Sequence, residues 1–416
     1  MLLEFKCSNH KSIKETVHFS MIAGSDNTAE ELLKEFGNYR VLRSAIIYGA
    51  NGSGKSNFLG ALKFMCHLVT SSINRQPGQK VYQACHKLCA EETPSEYSIQ
   101  FVRNDIRYAY GFSVKNHLIQ EEYLYYFPKG RQVKIFERSG MEVRPGDRYK
   151  GAFDVSLNIL KDNRLFLSCA ANYSNVKEIE EAFLFFSMDM VIYDPEINNW
   201  TEYSIELMQN DHRIKEAFVG ILQALGTGAK DVKVRSEKID LEDLPQDLQL
   251  PEAFRSLIRK HESKIIEAKV VYDQFEVDLM REESTGIQRL FQLVCPMIDI
   301  LNHGRVLICD ELETSLHESL ISEIVQLFQL YSKDKFAQLI FSTHDTSLLD
   351  ADLFRRDQVW FTQLNEQRAT DLYSLVEIKN VRKSENLERG YVSGKYGAIP
   401  MLNKKFFQEP EEVHFV

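Results

Sequence analysis

Four groups of residues in this chain have types and spacings suited to chemistry on a phosphoanhydride. Gly49-Ala50-Asn51-Gly52-Ser53-Gly54-Lys55-Ser56 fits the pattern G-x-x-x-x-G-K-[ST]. In that pattern glycines let backbone N–H groups curl round phosphates at the start of a helix. Asn51, Gly52, Ser53 and Gly54 would form the cradle, Lys55 would pair with the β and γ phosphates of ATP, and the Ser56 hydroxyl would bind Mg2+. The apolar run Arg305–Cys309 ends in Asp310 and Glu311. A buried strand delivers such carboxylates to its carboxyl end, where open α/β sheets bind ligands. Asp310 would hold Mg2+, directly or through water, and Glu311 would polarise the water that attacks the γ-phosphate. A second run, Gln338–Ser342, ends in Thr343-His344-Asp345, and a histidine there can hydrogen-bond the γ-phosphate and sense its cleavage. Finally, Ser284-Thr285-Gly286 offers a hydroxyl, a glycine N–H and a helix N-terminus, all suited to an anion.

Singly, these features have ordinary explanations: a chance glycine loop, a helix-capping Asp-Glu pair, a structural histidine, a Ser N-cap. The order Lys55, Asp310, Glu311, His344 turns the reading towards a nucleotide site. Other features stay with the bland reading. Cys85 and Cys89 have no second pair of ligands for zinc. Tyr123, Tyr125, Tyr126 and Phe127 sit in an alternating strand as packing, and Arg382-Lys383 and Lys404-Lys405 are too short for a DNA footprint.

The elements that must position these residues can be read from hydrophobic periodicity. Leu3–Cys7 alternates. Val41–Tyr48 reads as one buried strand leading into the glycine loop, and Phe58, Leu59, Leu62, Phe64, Met65, Leu68 and Val69 recur at helical spacing after it. Tyr97–Val102, Arg107–Val114, Leu118–Phe127 and Val133–Arg138 read as an antiparallel meander, with Asn104-Asp105 and Asn116-His117 at turns. Residues 150–280 read as mostly helical, in patches Val176–Phe186, His212–Leu225 and Glu252–Lys264, without the heptads of a long coiled coil. Arg305–Cys309, Glu318–Tyr331, Gln338–Ser342 and Gln358–Thr362 alternate strand and helix, as a parallel sheet requires. The expected fold is α/β, divided into 1–145 (glycine loop and meander), 146–280 (mainly helical insertion) and 281–416 (the remaining half of the core).

The 416 residues are 44% hydrophobic and 26% charged, ordinary for a folded globular chain. The net charge of −10 gives no electrostatic reason for the whole molecule to adhere to DNA. Seven scattered cysteines, no leader-like start and no apolar run of spanning length point to a cytoplasmic protein with no membrane partner.

With those motifs in view, Glu283–Arg289 resembles the signature motif of ABC-type ATPases, and Thr314-Ser315-Leu316-His317 resembles their D-loop. Thr285 stands where transporters of that class carry glycine. More narrowly, Arg164–Ser168, Glu283–Gly286, Asp310–His317, Gln338–Asp345 and Gly394–Pro400 resemble the prokaryotic AAA15/AAA21-type ATPases, ABC-fold proteins related to RecF and OLD-type ATPases. The resemblance implies an ABC-type P-loop ATPase core, with ATP and Mg2+ as cofactors and Glu311 and His344 as catalytic residues. It also implies a head-to-tail homodimer in which Ser284 and Gly286 complete the nucleotide site of the opposite protomer. Many such proteins belong to anti-phage defence systems, so the leading expectation is a nucleotide-driven sensor and switch acting on a separate effector, a nuclease or toxin. The alternative is a RecF-like repair or chromosome-maintenance ATPase that clamps DNA, and nucleic acid stays open as a partner. A Toprim nuclease in the same chain is not expected, since only 72 residues follow His344. The Q-loop glutamine is not placed; Gln83 and Gln100 are its candidates.

Overall fold

The computed structural model describes residues 1–193, 200–238, 264–314, 316–330, 335–382 and 385–399. The expectations for 252–263, Ser315, Lys383, Pro400, Lys404 and Lys405 fall outside the described residues. The chain divides into two compact units, Met1–Tyr193 with Gly304–Glu313 and Ile321–Val416, and Asp194–His303 with Thr314–Leu320.

In the first unit, β1 (Leu2–Ser8) and β2 (Val17–Ser20) pair antiparallel, β3 (Leu33–Phe36) and β4 (Tyr39–Leu42) form a separate hairpin, and β5 (Ser44–Tyr48) leads into the glycine loop and helix α1 (Lys55–Ser71). The single strand expected over Val41–Tyr48 is therefore two. Arg43, where the chain leaves one sheet for another, is buried like its apolar neighbours, so a lone charged residue does not read as a break. Next come β6 (Ser95–Arg103), β7 (Ile106–Lys115), β8 (Leu118–Phe127), β9 (Val133–Ser139) and β10 (Glu142–Pro145). They form the expected meander and continue through β1 and β2 as a seven-stranded sheet in the order β10-β9-β8-β7-β6-β1-β2. Short helices Phe166–Tyr173 and Lys177–Leu184 precede β11 (Met190–Tyr193).

The first of these helices is fastened to the meander by a buried charge. Glu122 of β8 is fully enclosed and accepts the N–H groups of Phe166 (2.5 Å) and Leu167 (2.8 Å), the Tyr110 hydroxyl (3.0 Å) and Arg138 (3.3 Å). The free N–H groups of a helix N-terminus suit a carboxylate. Burial nevertheless pushes the Glu122 carboxyl above its ordinary range, with Arg138 and the two amides opposing the shift.

The second unit holds helices Thr201–Asn210, His212–Ala224 and Thr285–His303, with β12 (Asp231–Lys238), β13 (Lys264–Val271) and β14 (Glu276–Asp278) in an antiparallel sheet. Its core gathers Phe218, Leu222, Val232, Val270, Leu290 and Phe291. The mostly helical insertion expected over 146–280 is corrected here. Residues 146–193 pack in the first unit, β11 joins its parallel sheet, and the second unit is built on strands as well as helices. Val-Lys-Val-Arg at 232–235 carries the period-2 pattern of a half-buried strand, and a cover of charged residues hid it.

Returning to the first unit, β15 (Val306–Cys309), β16 (Gln338–Ser342), β17 (Val359–Leu364) and β18 (Thr370–Ser374) complete a second sheet, ordered β11-β15-β16-β5-β17-β18. All neighbours are parallel except β17 and β18. Strands β5, β15 and β16 are buried throughout, which is why they read as unbroken apolar runs. One polar residue ties the sheets together. Gln338 accepts the Leu2 N–H (2.6 Å) and donates to the Leu2 and Leu42 carbonyls (3.0 Å each), which satisfies backbone groups that burial would otherwise leave unpaired.

Candidate nucleotide site

The parallel register decides what meets. Cys309 stands beside Phe341, and Ser342 beside Ile47, so β15, β16 and β5 end together. Asp310-Glu311, His344 and the loop Gly49–Ser56 all leave the sheet at that edge, where open α/β sheets bind ligands.

The loop is shaped by contacts behind it. Ser53 Oγ shares a hydrogen bond with Thr362 Oγ1 (2.6 Å), and Thr370 Oγ1 donates to the Ser53 carbonyl (2.9 Å). Ser12 Oγ joins Thr370 Oγ1 (2.7 Å) and accepts from Asn57 Nδ2 (2.7 Å). The loop backbone lies so close to these threonines that a Cβ on Gly49 would come within 2.3 Å of Thr362 Oγ1, and one on Gly54 within 2.1 Å of Thr370 Oγ1. Gly54, at φ 107°, opens α1 with no side-chain cap, leaving the first N–H groups of the helix unspent. Asn51, Gly52 and Ser56 are exposed at this mouth.

Lys55 is 5% exposed and donates to the carbonyls of Gly49 (2.7 Å) and Ala50 (3.5 Å). Burial lowers its pKa below the lysine range, while Asp310, Glu311 and Glu313 act in the opposite direction. A buried ammonium whose partners among the described residues are two carbonyls has capacity for a stronger anionic acceptor.

Across the edge, Ser342 Oγ donates to Asp310 Oδ1 and accepts the Glu311 N–H (2.9 Å). Glu311 has φ 49°, a left-handed conformation uncommon for a residue with a side chain. That turn brings its carboxylate 3.8 Å from His344 Nε2. Ser342 was missed as a site residue because it reads as the last position of an apolar strand. Its signal is that a hydroxyl closes the apolar run Leu339-Ile340-Phe341, and that hydroxyl is itself buried. The paired carboxylates, the histidine and the lysine thus lie within one unit.

The Mg2+ implied by the motif fits these residues. Mg2+ takes one or two carboxylates and completes its shell with phosphate oxygens and water, so a Ser56 hydroxyl and the Asp310 carboxylate suffice. Among the described residues no three His, Cys, Asp or Glu side chains cluster as a metal cage.

Ser284 and Gly286 lie in the second unit, at the start of helix Thr285–His303. Ser284 Oγ accepts the Ile287 N–H (3.3 Å) as an ordinary cap. Thr314, Leu316 and His317 also belong to that unit. The two Q-loop candidates are occupied structurally. Gln83 bonds Val114 O (2.9 Å) and the His117 N–H (3.2 Å), and Gln100 bonds Glu4 (2.6 Å) and Arg107 (2.9 Å). Arg164 braces the Arg75 carbonyl (2.8 Å), and the segment from Gly394 docks on β17–β18 through Tyr373 Oη to Tyr396 O (2.8 Å) and Ala398 N to Gln363 Oε1 (3.0 Å).

A family model described as "AAA domain, putative AbiEii toxin, Type IV TA system" matches residues 44–350, which takes in the loop, both carboxylates and His344. The chain belongs to this AAA21 family. As an AAA21 protein it carries an AAA-type P-loop domain, of the α/β class. No curated protein matches it. Solved structures similar to this AAA21 chain include an Smc head bound to the C-winged helix domain of ScpA, 14% identical, with a TM-score of 0.45 over 90% of this chain and 97% of that one. Another is the SMC head domain from Thermotoga maritima, 13% identical, TM-score 0.42, covering 90% and 98%. A third, the Smc head domain with an extended coiled coil bound to the C-terminal domain of ScpA, from Pyrococcus furiosus, is 15% identical with a TM-score of 0.41, covering 95% and 98%. Among the described residues no helix is long and apolar enough to cross a membrane.

Proposed function

We propose that the chain binds Mg-ATP at Gly49–Ser56 and hydrolyses it, and that it works as a nucleotide-driven sensor and switch of an anti-phage defence system with a separate nuclease or toxin as effector. The observation that carries this reading is the convergence of Lys55, Asp310, Glu311 and His344 at the shared edge of β5, β15 and β16. The toxin–antitoxin description of the family supports the defence setting.

Lys55 would hold the β and γ phosphates, Ser56 and Asp310 would hold Mg2+, and Mg2+ would neutralise charge on the phosphate oxygens. Glu311 would orient water and accept its proton, while His344, 3.8 Å from Glu311, would report the state of the γ-phosphate. A second copy, head to tail, would bring Ser284 and Gly286 to the phosphate, and ATP would favour the closed pair.

Light scattering on Glu311→Gln tests the assembly. Mg-ATP should convert monomer to dimer, and a strictly monomeric species at saturating Mg-ATP would overturn the paired site. Mixing Lys55→Ala with Ser284→Arg chains should restore some hydrolysis through the one composite site that carries neither lesion. Salt-sensitive stimulation of hydrolysis by duplex DNA would replace the defence reading with a DNA-clamping ATPase.

A further inference from the structure

We propose that Glu313 is a positioning residue of the nucleotide site, setting His344 in place through that residue's peptide N–H. This rests on the hydrolytic reading above. Glu313 leaves β15 just beyond the two carboxylates, and its Oε1 accepts the His344 N–H at 2.6 Å. The N–H groups on either side are held by other partners, Thr343 N by Ile47 O (3.2 Å) and Asp345 N by Thr343 Oγ1 (3.0 Å). Tyr48 Oη also donates to the Asp345 carbonyl (2.9 Å). Three consecutive amides are thus fixed, and Glu313 fixes the one that belongs to the histidine.

With its peptide plane set, His344 can direct Nε2 towards Glu311, 3.8 Å away. The second oxygen, Glu313 Oε2, is buried without a hydrogen-bond partner among the described residues. A buried acceptor left unpaired is unfavourable, and the carboxylate stands in the same electrostatic neighbourhood as Asp310 and Glu311 around Lys55. As a packing element it is a poor choice; as a rigid acceptor for one amide it is a good one.

Two substitutions separate reach from charge. Glu313→Gln keeps an oxygen at the same distance and drops the charge. Glu313→Asp keeps the charge and withdraws the oxygen. Steady-state ATP hydrolysis should be nearly unchanged in Gln, and kcat should fall ~10- to 100-fold in Asp and in Glu313→Ala, the cost of a small misplacement of a catalytic group. KM and the affinity for a fluorescent ATP analogue should stay within about two-fold. In a His344→Ala background, Glu313→Ala should cost nothing further, because it acts through the residue already removed. The inference is overturned if Gln is impaired and Asp is not, if the double variant shows additive losses, or if His344→Ala hydrolyses like wild type. Gln and Asp keep a polar group at the site, so the test survives an Ala variant that fails to fold. A wild-type chain with no Lys55-dependent ATP turnover would instead remove the site reading itself, and this inference with it.

Discussion

Two helices in this molecule begin with a serine, a glycine and free N–H groups, and they are finished differently. At α1 the glycine Gly54 supplies no cap, Ser53 is buried and bonded to β17, and Lys55 is enclosed beside the uncapped turn. At helix Thr285–His303 the exposed Ser284 caps Ile287, and Gln288 Nε2 reaches back to the Glu283 carbonyl at 2.8 Å. One terminus has no side-chain cap, and the other spends its serine on a single N–H, that of Ile287. The charge differs as well: a buried lysine stands beside the first terminus, so the first is equipped to hold phosphate within its own chain.

That contrast can be broken or sharpened by substitution. The largest effect expected is in Glu311→Gln, where phosphate release should fall roughly 10²- to 10⁴-fold, the usual contribution of a general base. Nucleotide binding should survive. Wild-type turnover would place the base elsewhere. Next, Lys55→Ala should weaken ATP binding roughly 10- to 100-fold, since a charge-assisted contact contributes about 1.5–3 kcal/mol. Titration calorimetry showing unchanged affinity in a folded variant would erase the distinction between the two termini.

Ser342→Ala strips the Glu311 N–H and Asp310 of their shared partner, and an unsatisfied buried donor costs about 1–3 kcal/mol. We expect a lowered melting temperature and roughly ten-fold slower turnover. The smallest effect belongs to Ser284→Ala, which removes a cap contributing ~0.5–2 kcal/mol to its helix. ATP affinity measured on dilute, monomeric protein should not change. A loss there would mean that the second terminus touches nucleotide in its own chain.

What was legible in the sequence follows from where the information lies. The glycine loop and the ends of β15 and β16 announce themselves locally, because buried parallel strands must be apolar and their terminal polar residues stand out. Thr362 and Thr370, which shape the loop, lie more than 300 positions from Ser53, and no local pattern connects them. Ser342 and Glu313 were hidden in the same way, each bonding across 31 positions. The break at Arg43 was invisible because that lone charged residue is buried like its apolar neighbours, and β12 was lost because its exposed face is strongly charged, as on a surface helix. The sequence order of Lys55, Asp310, Glu311 and His344 identified the edge of the sheet, whereas the hydroxyls that hold that edge came only from the fold.

The threonine lacing behind Gly49–Ser56 has a consequence for how a ligand is received. Because Ser53 is anchored to Thr362 and Thr370, and Thr370 in turn to Ser12, the cradle is preorganised. Little entropy is lost in ordering it when phosphate arrives, so more of each new contact remains as affinity. The stiffness resides in the β17–β18 hairpin as much as in the loop. A push on that hairpin, on which the Gly394 segment rests, would be felt at the phosphates as a change of shape rather than absorbed as slack.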